Sequence, residues 1–253
     1  MFLNSLFLNK YLFAGDTLVF DRWKWIAGRL PKTNENWKLL DVGCGSGAIT
    51  LKASNLGYDS IGLTWDKKAV QKCSQRAKKF ALKNCKFEVF DARNLKDYTN
   101  GEFDVILNTE NVEHLIDDLS LFHAMFSKLK KGGTLLLTTP NYYYKSITDS
   151  DNGPFSKIED GWHIRRGYSK EMIKELCMQV GFKVEEISYC SGFLSQKVTF
   201  IIRILSDIIG RKMAWLITFP LRIFPILFDK ILSKITNYAN YSICLVAYKP
   251  RFE

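Results

Sequence analysis

Leu39-Leu40-Asp41-Val42-Gly43-Cys44-Gly45-Ser46-Gly47-Ala48 decides how this chain folds. A short apolar run leads into three alternating glycines, and the pattern that follows, residues 48–55, is helical. Glycine lets a backbone turn sharply and lets a ligand come close to it, and a helix N-terminus attracts electron-rich groups. Strand, glycine turn and helix in this order therefore predict a nucleotide-binding loop. Gly43-x-Gly45-x-x-Ala48 formally fits a dinucleotide fingerprint. Two features oppose that reading. Asp41 would repel a pyrophosphate, and the second apolar run ends in Gly62-Leu63-Thr64-Trp65-Asp66 without an acid at the usual position. A cationic sulfonium ligand with an amino-acid tail suits Asp41 better.

Outward from this loop, apolar runs recur at 39–42, 60–63, 87–90, 103–107 and 134–138. Helix-patterned stretches separate them at 48–55, 67–81 and 119–129. Alternation of this kind predicts an α/β fold with a doubly wound parallel sheet. Lys130-Lys131-Gly132-Gly133 reads as a helix end, with basic residues and a glycine cap. A helix is expected over 169–180, stopped by Gly181, then strands over 182–189 and 241–248; another helix, 18–30, precedes the sheet. His123, near Leu119, Phe122 and Phe126, is expected to be structural. The predicted division is an N-terminal helical cap at 1–36, a main domain of 37–192 plus 240–253, and an amphipathic insertion at 193–239.

The chain has 253 residues, 47% hydrophobic and 25% charged, a balance that excludes a disordered or collagen-like protein. Its net charge of +10 favours phosphate-bearing partners, either nucleic acid or an anionic membrane. The six cysteines include no C-x-x-C pair and there are three histidines, which argues against a structural zinc site and a disulfide framework. The thiols are expected to be reduced and the location cytoplasmic. Residues 1–6 lack the basic start and small-residue cleavage site of a signal peptide.

Asp41-Val42-Gly43-Cys44-Gly45-Ser46-Gly47 resembles the first motif of class I S-adenosylmethionine-dependent methyltransferases. Phe90-Asp91-Ala92 resembles their adenine-binding turn, Phe103–Asn108 their fourth strand, and Leu129–Leu137 their Leu-Lys-Pro-Gly-Gly segment with Lys131 in place of proline. The resemblance covers about 37–189 plus the last strand. It implies a Rossmann-like seven-stranded sheet with an antiparallel last strand, flanking helices, and S-adenosyl-L-methionine as cofactor. The implied cofactor residues are Asp41, Gly43, Cys44, Gly45, Gly47, Thr64, Trp65, Asp91, Ala92 and Asn108. Thr64 stands where the family usually has a ribose-binding acid, and Gly62-Leu63-Thr64-Trp65 is similar to the Gly-Leu-Thr-Leu of cyclopropane fatty-acid synthases. Trp65 would lie beside the adenine or pack against the next helix.

Methyl transfer is an in-line displacement in which holding the acceptor is the main task, and an oxygen acceptor also gains from a base. Glu110-Asn111-Val112-Glu113-His114 resembles a segment of quinone-pathway catechol O-methyltransferases, in which two acids and a histidine are associated with a divalent metal. Glu110, Glu113 and His114 are thus the alternative metal donors, although Glu-His is common in the wider family without metal and the primary assignment is no metal. The predicted catalytic residues are His163, the preferred base, with His114 and Glu113. His163 lies in Asp160-Gly161-Trp162-His163-Ile164-Arg165-Arg166-Gly167-Tyr168-Ser169, where relatives carry His-x-Arg-x-Tyr/Phe-Ser/Thr. Arg165 and Arg166 would hold an anionic acceptor or simply be solvated.

The insertion should stand at the carboxyl ends of the strands, where open α/β sheets bind ligands. Arg203, Asp207 and Arg211 recur every four residues as one polar stripe among isoleucines and leucines, and Pro220 and Pro225 should break the helix. Seven basic residues face two acidic ones between 197 and 234. A wide apolar face with basic edges suits an interfacial element on an anionic bilayer; a lid or a dimer interface are the alternatives. Leu3, Leu6, Phe7, Leu12 and Phe13 would join that surface. The charged residues leave no spanning helix.

Together these features predict O- or C-methylation of a lipid-soluble or lipid-linked small-molecule acceptor, peripheral on the inner face of the cell membrane. A soluble small-molecule or sugar O-methyltransferase with the insertion as a lid comes second. RNA methylation comes third: the position of an N-methylase Pro-Pro motif reads Asn108-Thr109-Glu110-Asn111, and nucleic acid is not the expected partner. A non-catalytic membrane-associated partner is the remaining alternative. The sequence leaves oligomeric state open.

Overall fold

The computed structural model describes residues 16–32, 37–147 and 149–251. Seven strands, β1 (Lys38–Val42), β2 (Asp59–Thr64), β3 (Cys85–Val89), β4 (Phe103–Thr109), β5 (Leu129–Pro140), β6 (Lys183–Cys190) and β7 (Ser242–Tyr248), form one sheet in the order β3-β2-β1-β4-β5-β7-β6. The pairs β1–β2, β1–β4, β2–β3 and β4–β5 are parallel. β7 runs antiparallel between β5 and β6. The α-helices among the described residues are α1 (Thr17–Ala27), α2 (Ala48–Asn55), α3 (Lys67–Lys79), α4 (Asp118–Lys128), α5 (Lys170–Val180), α6 (Phe193–Ile209), α7 (Arg211–Ile217) and α8 (Ile223–Ile235).

The central strands are buried on both faces, as a sheet covered by helices on both sides requires. Leu40 and Val42 of β1 face one core, with Phe122 and Met125 of α4 and Ile173 of α5. Leu39 faces the other, with Trp25 and Ile26 of α1 and Ile49 of α2. Each such side chain contributes about 1.5–3 kcal/mol by leaving water. The helix starts are fixed locally. Asp16, Asp66, Asp117 and Ser169 each accept a hydrogen bond from a backbone N–H of the first turn, at 2.9, 2.7, 2.9 and 3.3 Å. Such caps are worth about 1 kcal/mol apiece. Gly181, at φ +98°, closes α5 as expected.

Four local expectations are corrected. Lys130–Gly133 does not end a helix: α4 stops at Lys128, Leu129 is already extended, and the segment opens β5. Gly132 N donates to Lys249 O and Lys249 N to Gly133 O, at 2.8 and 3.0 Å. Strand pairing past the end of β7 thus overrides the local preference for a glycine cap. Second, the polar stripe Arg203–Asp207–Arg211 is not continuous, because Gly210 (φ +81°, ψ 151°) ends α6 and places Arg211 at the start of α7. Third, Pro220 sits in a short turn between α7 and α8, but Pro225 does not break α8; it lies in the first turn, where no backbone donor is needed. His123 is exposed on α4 rather than part of the core.

α1 lies against β6 and α6. Trp25 Nε1 donates to Ser188 Oγ at 2.8 Å, the Arg29 guanidinium forks onto Glu186, and Thr17 Oγ1 donates to Ser195 O at 2.8 Å. The chain leaves β6 at the carboxyl end of the sheet, forms α6–α8, and returns into β7. Asp229 of α8 accepts from the N–H groups of Gly192, Leu194 and Ser195, so one helix caps the start of another. No described helix is long and apolar enough to cross a membrane. Leu3, Leu6, Phe7, Leu12 and Phe13 lie outside the described residues.

Candidate active site

The glycine turn opens at the carboxyl end of β1. Gly43, Gly45 and Gly47 have φ of +77°, +49° and +68°, in the left-handed region where a Cβ is penalised. A Cβ on Gly43 would come within 2.3 Å of the Asn111 side chain, and one on Gly47 within 2.6 Å of the Phe87 ring. Cys44 N donates to Leu63 O at 2.8 Å and ties the turn to β2. Gly47 then caps α2.

A cavity of about 300 Å³ lies beside this turn. Of the predicted cofactor residues, Gly43, Thr64, Trp65, Asp91 and Ala92 line it, and His114 borders it as well. Trp65 does not pack against α3; its ring is 67% exposed and stands at the cavity wall opposite Gly161. Asp41, Cys44, Gly45, Gly47 and Asn108 do not line the cavity; Asp41, Cys44 and Asn108 are buried. Asn108 Nδ2 donates to Val42 O at 3.2 Å, which holds the ends of β4 and β1 together.

Thr64, buried at the end of β2, accepts from Asp66 N at 3.4 Å. Asp91 is already engaged: the Arg93 guanidinium and backbone N–H donate to it, and this pairing holds its carboxyl below the usual carboxylate range. Arg93 also meets Glu159 at 3.3 Å, and Glu159 accepts from Ile116 N at 2.6 Å. Arg93, Asn111 and Glu159 are cavity residues that sequence reasoning missed. Adjacency to Asp91, to Glu110 and to Asp160 was the available signal.

The polar atoms around the turn suit a cationic nucleoside ligand. Asp41 is fully buried; Thr50 Oγ1 donates to its Oδ2 at 2.6 Å, and its Oδ1 has no hydrogen-bond partner among the described residues. Burial pushes its carboxyl up to about 6, against the Thr50 hydrogen bonds. Nearby positive charge would relieve that penalty. Asn108 Oδ1 and Asn111 Nδ2 are likewise buried without partners among the described residues.

Next to this cavity, two elements converge. Glu113 and His114 lie in the turn after β4, and His163 in the strap after β5. Glu113 Oε1 is 3.8 Å from Nε2 of both histidines, too long for hydrogen bonds, and Thr139 Oγ1 donates to Oε2 at 2.9 Å. The imidazoles meet edge to face, with centroids 4.7 Å apart. Burial, with the repulsion of Glu110, raises the Glu113 carboxyl well above its ordinary range. Burial, with His114 beside it, lowers His163 to about 4.

The structure thus joins all three predicted catalytic residues but removes Glu110 from the alternative metal set. Glu110 turns away, accepts from Ser242 Oγ at 3.0 Å, and pairs with Arg22 at 3.4 Å. Among the described residues, the group able to hold a metal is Glu113, His114 and His163, with donor atoms within 4.8 Å of one another. A carboxylate oxygen lacking a hydrogen bond and two imidazole nitrogens suit a divalent ion. Arg165 and Arg166 neither face an acceptor nor stand solvated. Arg165 binds Asp118 and donates to Leu115 O and Ile116 O, at 2.8 and 2.9 Å. Arg166 donates to Tyr142 O and Tyr144 O, at 2.9 and 2.8 Å. They fasten the strap that carries His163.

A glycine turn at β1, an antiparallel β7 and a buried acid–histidine cluster at the strand ends define a nucleotide-cofactor transferase fold. Residues 33–181 match the family model described as a methyltransferase domain, and the chain belongs to that family, the class I S-adenosylmethionine-dependent methyltransferases. Among curated proteins, the chain is 40% identical over 116 residues to a ubiquinone biosynthesis O-methyltransferase of Pelagibacter ubique (strain HTCC1062), covering 46% of this chain and 47% of that protein. It is 26% identical over 190 residues to one of Thiobacillus denitrificans (strain ATCC 25259 / T1), covering 74% and 79%. The chain thus spans about half the length of the first of these relatives. Among solved structures, the [4+2]-cyclase SpnF superposes with a TM-score of 0.62 at 20% identity, covering 92% of this chain and 82% of that one. A likeness at that level concerns the fold alone.

Proposed function

We propose that the chain is an S-adenosylmethionine-dependent O-methyltransferase whose acceptor is a lipid-soluble phenolic hydroxyl of the quinone-precursor type, used at a membrane surface. The observation that carries the O-methyl reading is the buried Glu113 flanked by His114 and His163 beside the cofactor cavity. The names of the curated relatives support the acceptor class.

When bound, S-adenosylmethionine supplies an electrophilic methyl group on a sulfonium. The glycine turn would hold its charged end, with the buried Asp41 carboxyl two residues before it; Trp65 and Phe90 would flank its ring, and Thr64 would offer the ribose a hydroxyl in place of a carboxylate. The acceptor hydroxyl sits against the histidines. Its proton would pass to His163, whose imidazole burial keeps neutral at pH 7, with the Glu113 carboxyl 3.8 Å away. Base assistance of this kind is worth about 10²–10⁴-fold. Where a divalent ion is required, Glu113, His114 and His163 would hold it, and its charge would favour loss of the acceptor proton.

The surface of α6–α8 supports the membrane part of the reading. Ile204, Ile208, Leu216, Ile223, Leu227 and Ile231 are exposed on these helices, and Arg211, Lys212, Lys230 and Lys234 are interspersed with them. An apolar surface of this breadth is rare on a protein that meets only water. These helices leave the sheet at its carboxyl end, on the side of the donor cavity.

Methyl-labelled S-adenosylmethionine, incubated with the protein and catechols with and without a prenyl tail, tests the whole. Label extracted into the organic phase with the tailed catechol is the expected result. Label found only in water-soluble products or in RNA would sink the acceptor assignment. Co-sedimentation with vesicles that rises with anionic lipid and falls with salt is expected separately; binding to neither anionic nor neutral vesicles would leave α6–α8 as a lid.

A further inference from the structure

A second cavity, of about 400 Å³, lies between α1 and α8 and shares no lining residue with the cofactor cavity. Phe20, Ile226 and Leu227 give it apolar walls, and Asp16, Asp21 and Arg222 are its charged members. Its volume falls within the ordinary range for small-molecule sites, about 300–1,000 Å³. Leu227 also belongs to the exposed apolar surface of the insertion, so the cavity adjoins that surface.

The charged groups distinguish it from a packing gap. Asp21 Oδ2 is buried and has no hydrogen-bond partner among the described residues. Burial foremost raises the Asp21 carboxyl to about 7; the Ser195 and Ser191 hydroxyls near it oppose that shift, and the negative charge of Asp229 adds to it. A buried carboxylate oxygen left in this state is costly unless a donor reaches it. Arg222 is the positive charge among the described lining residues; its guanidinium lies over the Trp215 ring at 4.9 Å and feels the charge of Asp16. Among the described lining residues, two acids stand against one base. A ligand that fits must be apolar along its length and positive, or at least a donor, at one end.

We propose that this cavity binds one hydrocarbon chain of an amphiphile whose head is an ammonium or another cationic donor directed at Asp21. The proposal rests on the membrane-surface reading for the source of the ligand, because a chain would enter from the bilayer along the Leu227 side. It does not rest on that reading for binding itself.

The test uses the full chain and single-chain probes below their micelle concentrations, followed by calorimetry. Dodecylammonium is expected to saturate one site and to bind at least tenfold more tightly than dodecanoate. Asp21→Asn should erase that preference. Ile226→Trp should fill the cavity and abolish binding of both probes while S-adenosylhomocysteine still binds, which shows the variant is folded. Absence of saturable dodecylammonium binding, a tighter fit for dodecanoate, or binding that survives Ile226→Trp in a folded variant would overturn the proposal. Anionic-vesicle co-sedimentation is measured in parallel on the unmodified chain. Probe binding without vesicle binding keeps the cavity assignment and removes the membrane source. Vesicle binding without probe binding removes the cavity assignment alone.

Discussion

The glycine turn and the α6–α8 insertion are opposite solutions to placing chemistry at the end of a sheet. At the turn, backbone is left bare and buried polar atoms are left unsatisfied: Asp41 Oδ1, Asn108 Oδ1 and Asn111 Nδ2 have no hydrogen-bond partners among the described residues. In the insertion the backbone N–H groups of Gly192, Leu194 and Ser195 at the helix start are satisfied by Asp229, and apolar side chains are left in the open, with Ile208 71% exposed. The first region presents polar atoms suited to a charged ligand; the second presents an apolar face. Both are destabilising arrangements for an isolated fold, and their positions at one end of the sheet suit a donor and an acceptor of opposite polarity.

The largest effect should come from the cluster between them. His163→Ala combined with His114→Ala should lower turnover by about 10²–10⁴-fold, with binding of S-adenosylhomocysteine retained by calorimetry. Full turnover in the double variant would dismiss the imidazoles as the base. Metal dependence sharpens the same point: if Glu113, His114 and His163 hold a required ion, chelation should remove activity and Glu113→Gln should weaken metal binding without weakening cofactor binding.

The turn comes next. Gly43→Ala must place a Cβ at φ +77° and within 2.3 Å of Asn111, so cofactor affinity should fall about tenfold or more, a change of about 1.4 kcal/mol. Unchanged affinity would mean that Gly43 is not held against the ligand.

Asp41 links binding to stability. Its carboxyl titrates near 6 in the folded chain, because burial disfavours the charge, against about 3.9 unfolded. The folded state therefore holds more protons across that interval, and this contribution to stability is present below about pH 4 and is lost as pH rises through about 6. His163, lowered to about 4, acts in the opposite sense between about pH 4 and 6.5, so the measurement is a difference between variant and parent. Asp41→Asn should raise the stability of the cofactor-free chain at pH 8 by about 1–3 kcal/mol, with little change at pH 4, and should weaken cofactor binding at pH 8. A variant less stable at pH 8 would show that the Thr50 hydrogen bond outweighs the buried charge.

The smallest effect on stability belongs to the insertion. Ile208→Ser with Ile231→Ser removes exposed apolar surface only, so unfolding free energy should change by about 0.5 kcal/mol per site or less. Anionic-vesicle binding should nevertheless fall. A large loss of stability would instead mean that this face packs on a partner or on the chain itself.

The fold was legible where local chemistry and tertiary context agree. Leu39–Gly47 predicts strand, turn and helix from residue types alone, because left-handed backbone and a bare approach both require glycine. The predicted strands 60–63, 103–107 and 134–138 fall within β2, β4 and β5, since parallel strands buried on both faces must be apolar throughout. Lys130–Gly133 was misread because a basic, glycine-rich segment suits a helix end and an irregular strand equally. The pairing partner, Lys249, lies more than a hundred residues away.

The candidate site divides in the same way. Sequence alone determined the glycine turn, the two acids and the histidine of residues 110–114, and an apolar, basic insertion, because composition and spacing over a few residues encode each of them. Only the tertiary structure decided which of those groups meet. His163 reaches Glu113 through a strap fastened by Arg165 and Arg166, and Ile164 N donates to Glu113 O at 3.1 Å. Glu110, three residues from Glu113 in sequence, is drawn away by Arg22 of α1 and Ser242 of β7. The physical reason is that a buried carboxylate goes to whichever donors the packed elements bring within reach. That reach is set by the sheet order and by long-range contacts, which no local spacing records.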